Sequence, residues 1–213
     1  MSESILIGTR SWDRPDWTGT FYPDVLPADW RFSFYCNHLR AVLLPAEAWS
    51  AASPADVRAW AEDVFPEFRF VVELSAASPA PLPLLAPIRS QIAGLLLRTP
   101  VVPDKAWLTA RLAELSMSFP LCVDFPPAAR TPELLACLTQ YNAGLCWRTE
   151  IEPEPRPGGK LMVALASAVE PKAQRRLLER LAAWRGEERI AALYFDDPAA
   201  ARQARLLAEL MGV

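Results

Sequence analysis

The chain has 213 residues, 52% of them apolar and 22% charged, with a formal net charge of −3 and a pI near 5.3. This is the composition of a globular protein long enough for a sizeable core, and it offers no overall basic field for nucleic acid or an anionic membrane. Residues 1–10 lack the basic start and long apolar core of a signal peptide, and the apolar runs are too short to span a bilayer, so a cytoplasmic protein is expected.

The first apolar run, Ile5 to Gly8, ends in Thr9-Arg10-Ser11 and is followed by a loop rich in aromatic residues (Trp12, Trp17, Phe21, Tyr22). Further runs of strand length are Ala41 to Leu44, Phe70 to Leu74, Gly94 to Leu97, Leu121 to Phe125, Gly144 to Trp147, Leu161 to Ala166 and Ile190 to Phe195. Each is almost unbroken by polar residues, as in parallel strands buried on both faces. Helical patterns lie between them. The first covers Ala28 to Leu39. Ser53-Pro54 opens the second, with Ser as cap and Pro at the first helical position. A short or irregular helix falls at Pro83 to Gln91. Asp104, Thr131-Pro132, Glu170-Pro171 and Asp197-Pro198 open the remaining four. The stretch Glu150 to Lys160 holds three prolines and two glycines, so a loop takes the place of a sixth helix. Eight strands alternating with seven helices predict a compact (β/α)8 TIM-type barrel, with residues 1–213 as a single domain. A doubly wound open sheet is the rival, but its nucleotide-binding forms carry a glycine-rich first turn, and Gly8 stands alone here.

Cys36, Cys122, Cys137 and Cys146 lack the CxxC spacing of zinc or redox sites and read as reduced, structural thiols. His38, the only histidine, falls at the end of a helix, so a histidine-based metal site or a Ser-His-Asp triad would rest on one residue. Walker, GxSxG, HExxH and dinucleotide fingerprints are absent, and neither a metal nor a cofactor is expected.

Ile7-Gly8-Thr9, Trp12, Trp17, Gly19 and Phe21-Tyr22-Pro23 resemble the opening of the YecE-like proteins (domain of unknown function 72). Chains of that family begin Ile-Gly-Thr-Ser-Gly-Trp and continue with a Trp and Gly-x-Phe-Tyr-Pro. Trp60, Pro66-x-Phe68-Arg69-Phe70, Leu97 through Pro100 and Tyr194-Phe195-Asp196-Asp197 extend the likeness along the chain. The resemblance implies a TIM-type barrel. It also marks departures at strand ends. Val42-Leu43-Leu44-Pro45 stands where the family shows Val-Glu-Ile-Asn, Glu73 where it has Lys, and Arg98 where it has the glutamine of Gln-Leu-Pro. Asp124-Phe125-Pro126-Pro127 replaces Glu-Phe-Arg-His, and the family's Arg-Leu-His-Gly after strand seven is missing from Leu161 to Ser167. The resemblance implies a divergent member, with the shell kept and the strand-end chemistry rebuilt.

Ligands of such barrels sit at the C-terminal strand ends. Those ends carry Arg10, Trp12, Glu73, Arg98, Asp124, Arg148 with Glu150, and Asp196 with Asp197. Arg10, Arg98 and Arg148, rimmed by Trp12, Trp17 and Tyr22, form the expected ligand-binding set, since a guanidinium fork binds two oxygens of a phosphate or carboxylate at once. The bland alternative pairs these arginines with Glu73, Asp124 and Asp196 simply to close the barrel top, and leaves the aromatic residues as loop packing. If the protein is an enzyme, Glu73, Asp124 and Asp196 are its candidate acids and bases, acting on a phosphorylated or sugar-like substrate. Asp197 reads first as the cap of the last helix. The expected partner is a small anionic molecule or another protein, a second copy included; the acidic balance disfavours nucleic acid.

Overall fold

A computed structural model describes residues 5–77, 83–167, 169–186 and 188–213. Its strands are β1 (Leu6–Arg10), β2 (Ala41–Leu44), β3 (Arg69–Leu74), β4 (Ile92–Arg98), β5 (Leu121–Asp124), β6 (Gly144–Leu145), β7 (Trp147–Arg148), β8 (Leu161–Ala166) and β9 (Ile190–Phe195). All pair in parallel in the order β6-β5-β4-β3-β2-β1-β9-β8-β7. The two ends of that order are consecutive pieces of one segment, parted at Cys146. β6 pairs with β5 and β7 pairs with β8, so the ring closes through a broken sixth strand. This is the expected barrel. The sequence run at Gly144 to Trp147 is one strand that changes neighbours part-way.

The helices are α1 (Arg31–His38), α2 (Ala46–Ala51), α3 (Pro54–Asp63), α4 (Lys105–Ser116), α5 (Pro132–Gln140), α6 (Pro171–Arg185) and α7 (Pro198–Met211). Their starts follow from the caps. Ser53 Oγ accepts from the Asp56 amide at 3.2 Å and the Asp56 carboxylate accepts from the Ser53 amide at 2.7 Å, a reciprocal box. Asp104 and Thr131 cap α4 and α5 through the Trp107 and Leu134 amides. Asp197 caps α7 twice, through the Ala199 and Ala200 amides. Two details differ from the sequence expectation. α2, a single short stretch after Pro45, was not foreseen, and Ala86–Gln91 is a 3-10 helix. Between β7 and β8 there is no helix. Trp147 Nε1 donates to the Glu152 carbonyl and Trp184 Nε1 to the Arg156 carbonyl, each at 2.9 Å, and these bonds hold the replacing loop against the barrel wall. No helix among the described residues is long and apolar enough to cross a membrane.

Strand residues alternate between two apolar clusters. Val42, Leu44, Phe70, Val72, Leu97 and Val123 face the helices. Leu43, Val71, Leu96, Cys122, Val163 and Tyr194 fill the barrel interior. Going up the strands, the inward positions become charged at Arg10, Glu73, Arg98, Asp124 and Arg148, so the apolar interior ends in a polar layer at the C-terminal face.

Gly8 makes β1 fit. A Cβ there would sit 1.8 Å from the Ala41 carbonyl oxygen of β2. Ser11, where the family motif has its second glycine, holds a left-handed φ of 68° that ends the strand just after Arg10. Opposite responses are expected. Gly8→Ala forces β1 away from β2 and lowers unfolding free energy by about 3 kcal/mol. Ser11→Gly relieves the left-handed strain and is neutral or stabilising by up to about 1 kcal/mol. Urea denaturation followed by circular dichroism measures both.

Candidate functional site

Barrel shear places each carboxylate of the top layer between arginines of other strands. Arg10 on β1 reaches across the end of β2 to Glu73 on β3, with Nε donating to Oε2 and Nη2 to Oε1, both at 2.9 Å. Arg98 on β4 joins Glu73 Oε2 from the other side at 3.0 Å. On β5, Asp124 accepts from Arg148 of β7, at 3.1 Å from Nε and 2.6 Å from Nη2. The result is an arc of alternating sign, Arg10, Glu73, Arg98, Asp124, Arg148, running across more than half the rim. A further bond joins Arg10 to Glu47 of α2 at 2.7 Å.

The carboxylates are buried at 3% side-chain exposure each, whereas the three guanidinium groups remain about a third exposed, at 34%, 35% and 34%. Glu73 and Asp124 thus belong to the protein interior and the arginines to its surface. Hydrogen bonds donated to Glu73 hold the Arg10 guanidinium pKa above its ordinary value against desolvation, and those donated to Asp124 do the same for Arg148. Arg10 and Arg148 each spend one edge on a carboxylate, and Arg98 meets Glu73 through Nη2 alone. Among the described residues, Nη1 of all three has no partner, and neither does Nε of Arg98.

These arginines open onto one cleft of about 340 Å³. Arg10, Arg98 and Arg148 form one side. Leu165 and Ile151 contribute apolar surface, the ends of β8 and β9 pass beside them at Ala166 and Phe195, and Glu150, Ser167 and Asp196 complete the lining. Glu150 is engaged, since its carboxylate accepts from the Ser167 amide at 2.6 Å and hydroxyl at 2.8 Å. Desolvation pushes its pKa up, but these bonds outweigh it and hold the carboxyl below its usual range. Tyr194 is buried with no partner for its hydroxyl, and burial pushes the phenol well above its ordinary pKa, so it stays a neutral donor.

The structure therefore brings together Arg10, Arg98, Arg148, Glu73, Asp124 and Asp196. Asp196 forms no ion pair with the arginines: it is exposed at the end of β9 and does not help to close the barrel top. The aromatic set is elsewhere. Trp12, Trp17 and Tyr22 are buried and do not line the cleft. Trp12 packs 4.3 Å from Phe32 and 5.1 Å from Trp60, the Tyr22 hydroxyl donates to the Trp12 carbonyl, and Arg31 lies over the Tyr22 ring at 5.5 Å. These contacts fold the first loop onto α1 and α3, away from the mouth. Sequence spacing marks neither Tyr194 nor Ser167 as a cleft residue. Tyr194 looked like any other member of a buried run, and nothing local marks Ser167 as the partner of Glu150. Arg130, paired with Glu152 and pushed below its ordinary pKa by burial, is a further cation beside the arc that spacing did not reveal. His38 caps nothing catalytic: its Nδ1 contacts the Phe34 carbonyl within α1. Burial pushes the Cys122 thiol up to about 12 and raises that of Cys146 well above its ordinary value, so both are inert interior groups. No group of three or more His, Cys, Asp or Glu side chains suited to a metal occurs among the described residues.

The profile of the family described as "Protein of unknown function DUF72" matches residues 6–78. The crystal structure of a DUF72 family protein from Thermotoga maritima superposes with a TM-score of 0.70 at 14% identity, covering 98% of this chain and 100% of that one. The chain has the DUF72 fold. A DUF72 family protein from Enterococcus faecalis gives a TM-score of 0.68 at 16% identity, with both chains covered in full. No curated protein sequence matches the chain. The likeness to the DUF72 proteins is thus one of sequence over residues 6–78 and of fold along the whole barrel. At such identities the strand-end residues must be read from their own geometry.

The arc predicts a specific pattern of stability. Arg148→Ala removes the one arginine bonded to the buried Asp124 and is expected to cost about 3 kcal/mol. The apolar double variant Asp124→Leu/Arg148→Met removes both charges and is expected to recover most of that loss. Chemical denaturation of the two variants beside the parent measures the difference.

Proposed function

We infer that the cleft at the C-terminal face binds a small ligand through a phosphate or carboxylate group. The observation that carries this reading is the set of three arginines facing one cavity, Arg10 and Arg148 each held along one edge by a buried carboxylate, Arg98 held at Nη2 alone, and all three unpartnered at Nη1 among the described residues. Fixing the first edge removes most of the side-chain entropy that a flexible arginine loses on capturing an anion. The three arginines already meet three carboxylates, Glu73, Asp124 and the exposed Glu47, so the attraction for an anion comes from their free guanidinium edges and not from net charge. A volume of about 340 Å³ lies at the small end of the range for small-molecule sites, and it has the mix of apolar wall and few convergent polar groups that such sites show.

Binding is favoured over acid–base catalysis at the arc. Glu73 and Asp124 have both oxygens engaged by guanidinium groups, which suits fixed counter-charges rather than groups that must gain and lose a proton.

Arg98 is the residue to remove, because Glu73 keeps both bonds from Arg10 when it is gone. Ethyl phosphate is expected to raise the melting temperature of the parent protein and to give saturable heats in calorimetry. Arg98→Ala is expected to remain folded and to weaken that binding at least about tenfold. Equal binding of ethyl phosphate by the parent and a folded Arg98→Ala protein would overturn the reading.

A further inference from the structure

The cleft is not uniformly basic. Asp196 directly follows β9 on the side of the cavity that is lined by β8 and β9, and it is the one carboxylate of the lining with no hydrogen bond or ion pair among the described residues; the cation whose field it feels, Arg14, is itself paired with Asp16. Every other acidic group near the arginines is engaged: Glu73 and Asp124 in the arc, Glu47 with Arg10, and Glu150 with Ser167. A ligand carrying only negative charge would be drawn to the free guanidinium edges and repelled by Asp196. Counting the lining and the layer beneath it, Arg10, Arg98 and Arg148 are set against Glu73, Asp124, Glu150 and Asp196. An anion alone therefore leaves a carboxylate uncompensated, while a ligand with a cationic group a few bonds from its anionic head satisfies both.

We propose that this site is selective for zwitterions, taking the anionic head of a small amine-bearing phosphate or carboxylate on Arg10, Arg98 and Arg148 and its ammonium group on Asp196. The proposal rests on the anion-binding reading above and adds to it the chemical class of the ligand. The roles divide by strand. Those that contribute to the arc hold the acid, Asp196 just past β9 holds the amine, and Leu165 lies beside the short carbon linker.

Phosphoethanolamine and ethyl phosphate separate this from simple anion binding, because they share a phosphate ester and a two-carbon chain and differ in the ammonium. Calorimetry on the full chain near neutral pH is expected to show phosphoethanolamine bound at least about fivefold more tightly, the scale of one carboxylate–ammonium contact at a partly exposed site. Asp196→Asn is expected to shrink that preference to within about twofold, weakening phosphoethanolamine and tightening ethyl phosphate as the repulsion disappears. Equal affinities in the parent protein, or a preference that survives Asp196→Asn, would overturn the zwitterion proposal and leave the anion reading standing. Failure of the parent protein to bind either compound would overturn both.

Discussion

Two carboxylates at the top of the barrel, Glu73 and Asp124, are almost wholly removed from water, and most of the architecture of the mouth follows from that fact. A buried, unpaired carboxylate costs several kcal/mol, and only a closely held cation offsets the loss of hydration. Lysine would supply a point charge, whereas arginine supplies a planar fork that meets both oxygens. The arginines stand on strands one or two places away around the ring, where the shear of the barrel brings the ends of their side chains to the same height. Such pairs add little net stability compared with an apolar layer. What they contribute is position: three guanidinium groups lose their freedom to search and present a second edge to solvent.

The same physics explains why this edge faces a cavity rather than a packed cap. The loop after β1 could have covered the mouth with its aromatic residues. Instead Trp12, Trp17, Phe21 and Tyr22 bury themselves against α1 and α3, where aromatic rings find other aromatic rings, and the loop is drawn off the barrel axis. On the other side, the proline-rich segment after β7 forms no helix and folds back through two indole hydrogen bonds, which places Glu150 and Ile151 in the wall of the cleft. One loop withdraws and the other moves in, and the space between them is the site.

Two of the strand-end positions at which this chain departs from the motif it resembles, Glu73 and Arg98, interact with each other. Glu73 stands where the motif has a lysine, Arg98 where it has a glutamine, and both are members of one ion-paired arc. Ser11 tells the complementary story: the motif's glycine is gone, but the left-handed turn it serves is retained. The scaffold tolerates a strained serine because the turn is fixed on both sides, by the Ser11 amide bonding Leu43 and by the Ser11 carbonyl accepting from Thr9. A change of charge at one rim position, by contrast, demands a matching change at its neighbour.

Strand and helix identity in this chain are written locally, because unbroken runs of Val, Leu and Ile mark strands hidden on both faces and Ser, Asp or Thr ahead of Pro marks a helix start. From these the sequence by itself determined the parallel α/β barrel, the missing sixth helix, the structural cysteines and the cap at Asp197. It also brought Arg10, Arg98, Arg148, Glu73 and Asp124 to one rim, since every second residue of a strand points inward and strand ends share a face. Pairing and exposure were decided only in three dimensions. Whether Trp12, Trp17 and Tyr22 rim the mouth or retreat beneath it depends on the aromatic neighbours offered by α1 and α3, and no spacing in the chain records that choice. Which arginine holds which carboxylate depends on the shear of the closed ring. That Asp196 stays unpaired at the cleft, while Glu73, Asp124 and Glu150 are engaged, follows from where their partners come to lie, a property of the assembled barrel and of no single stretch within it.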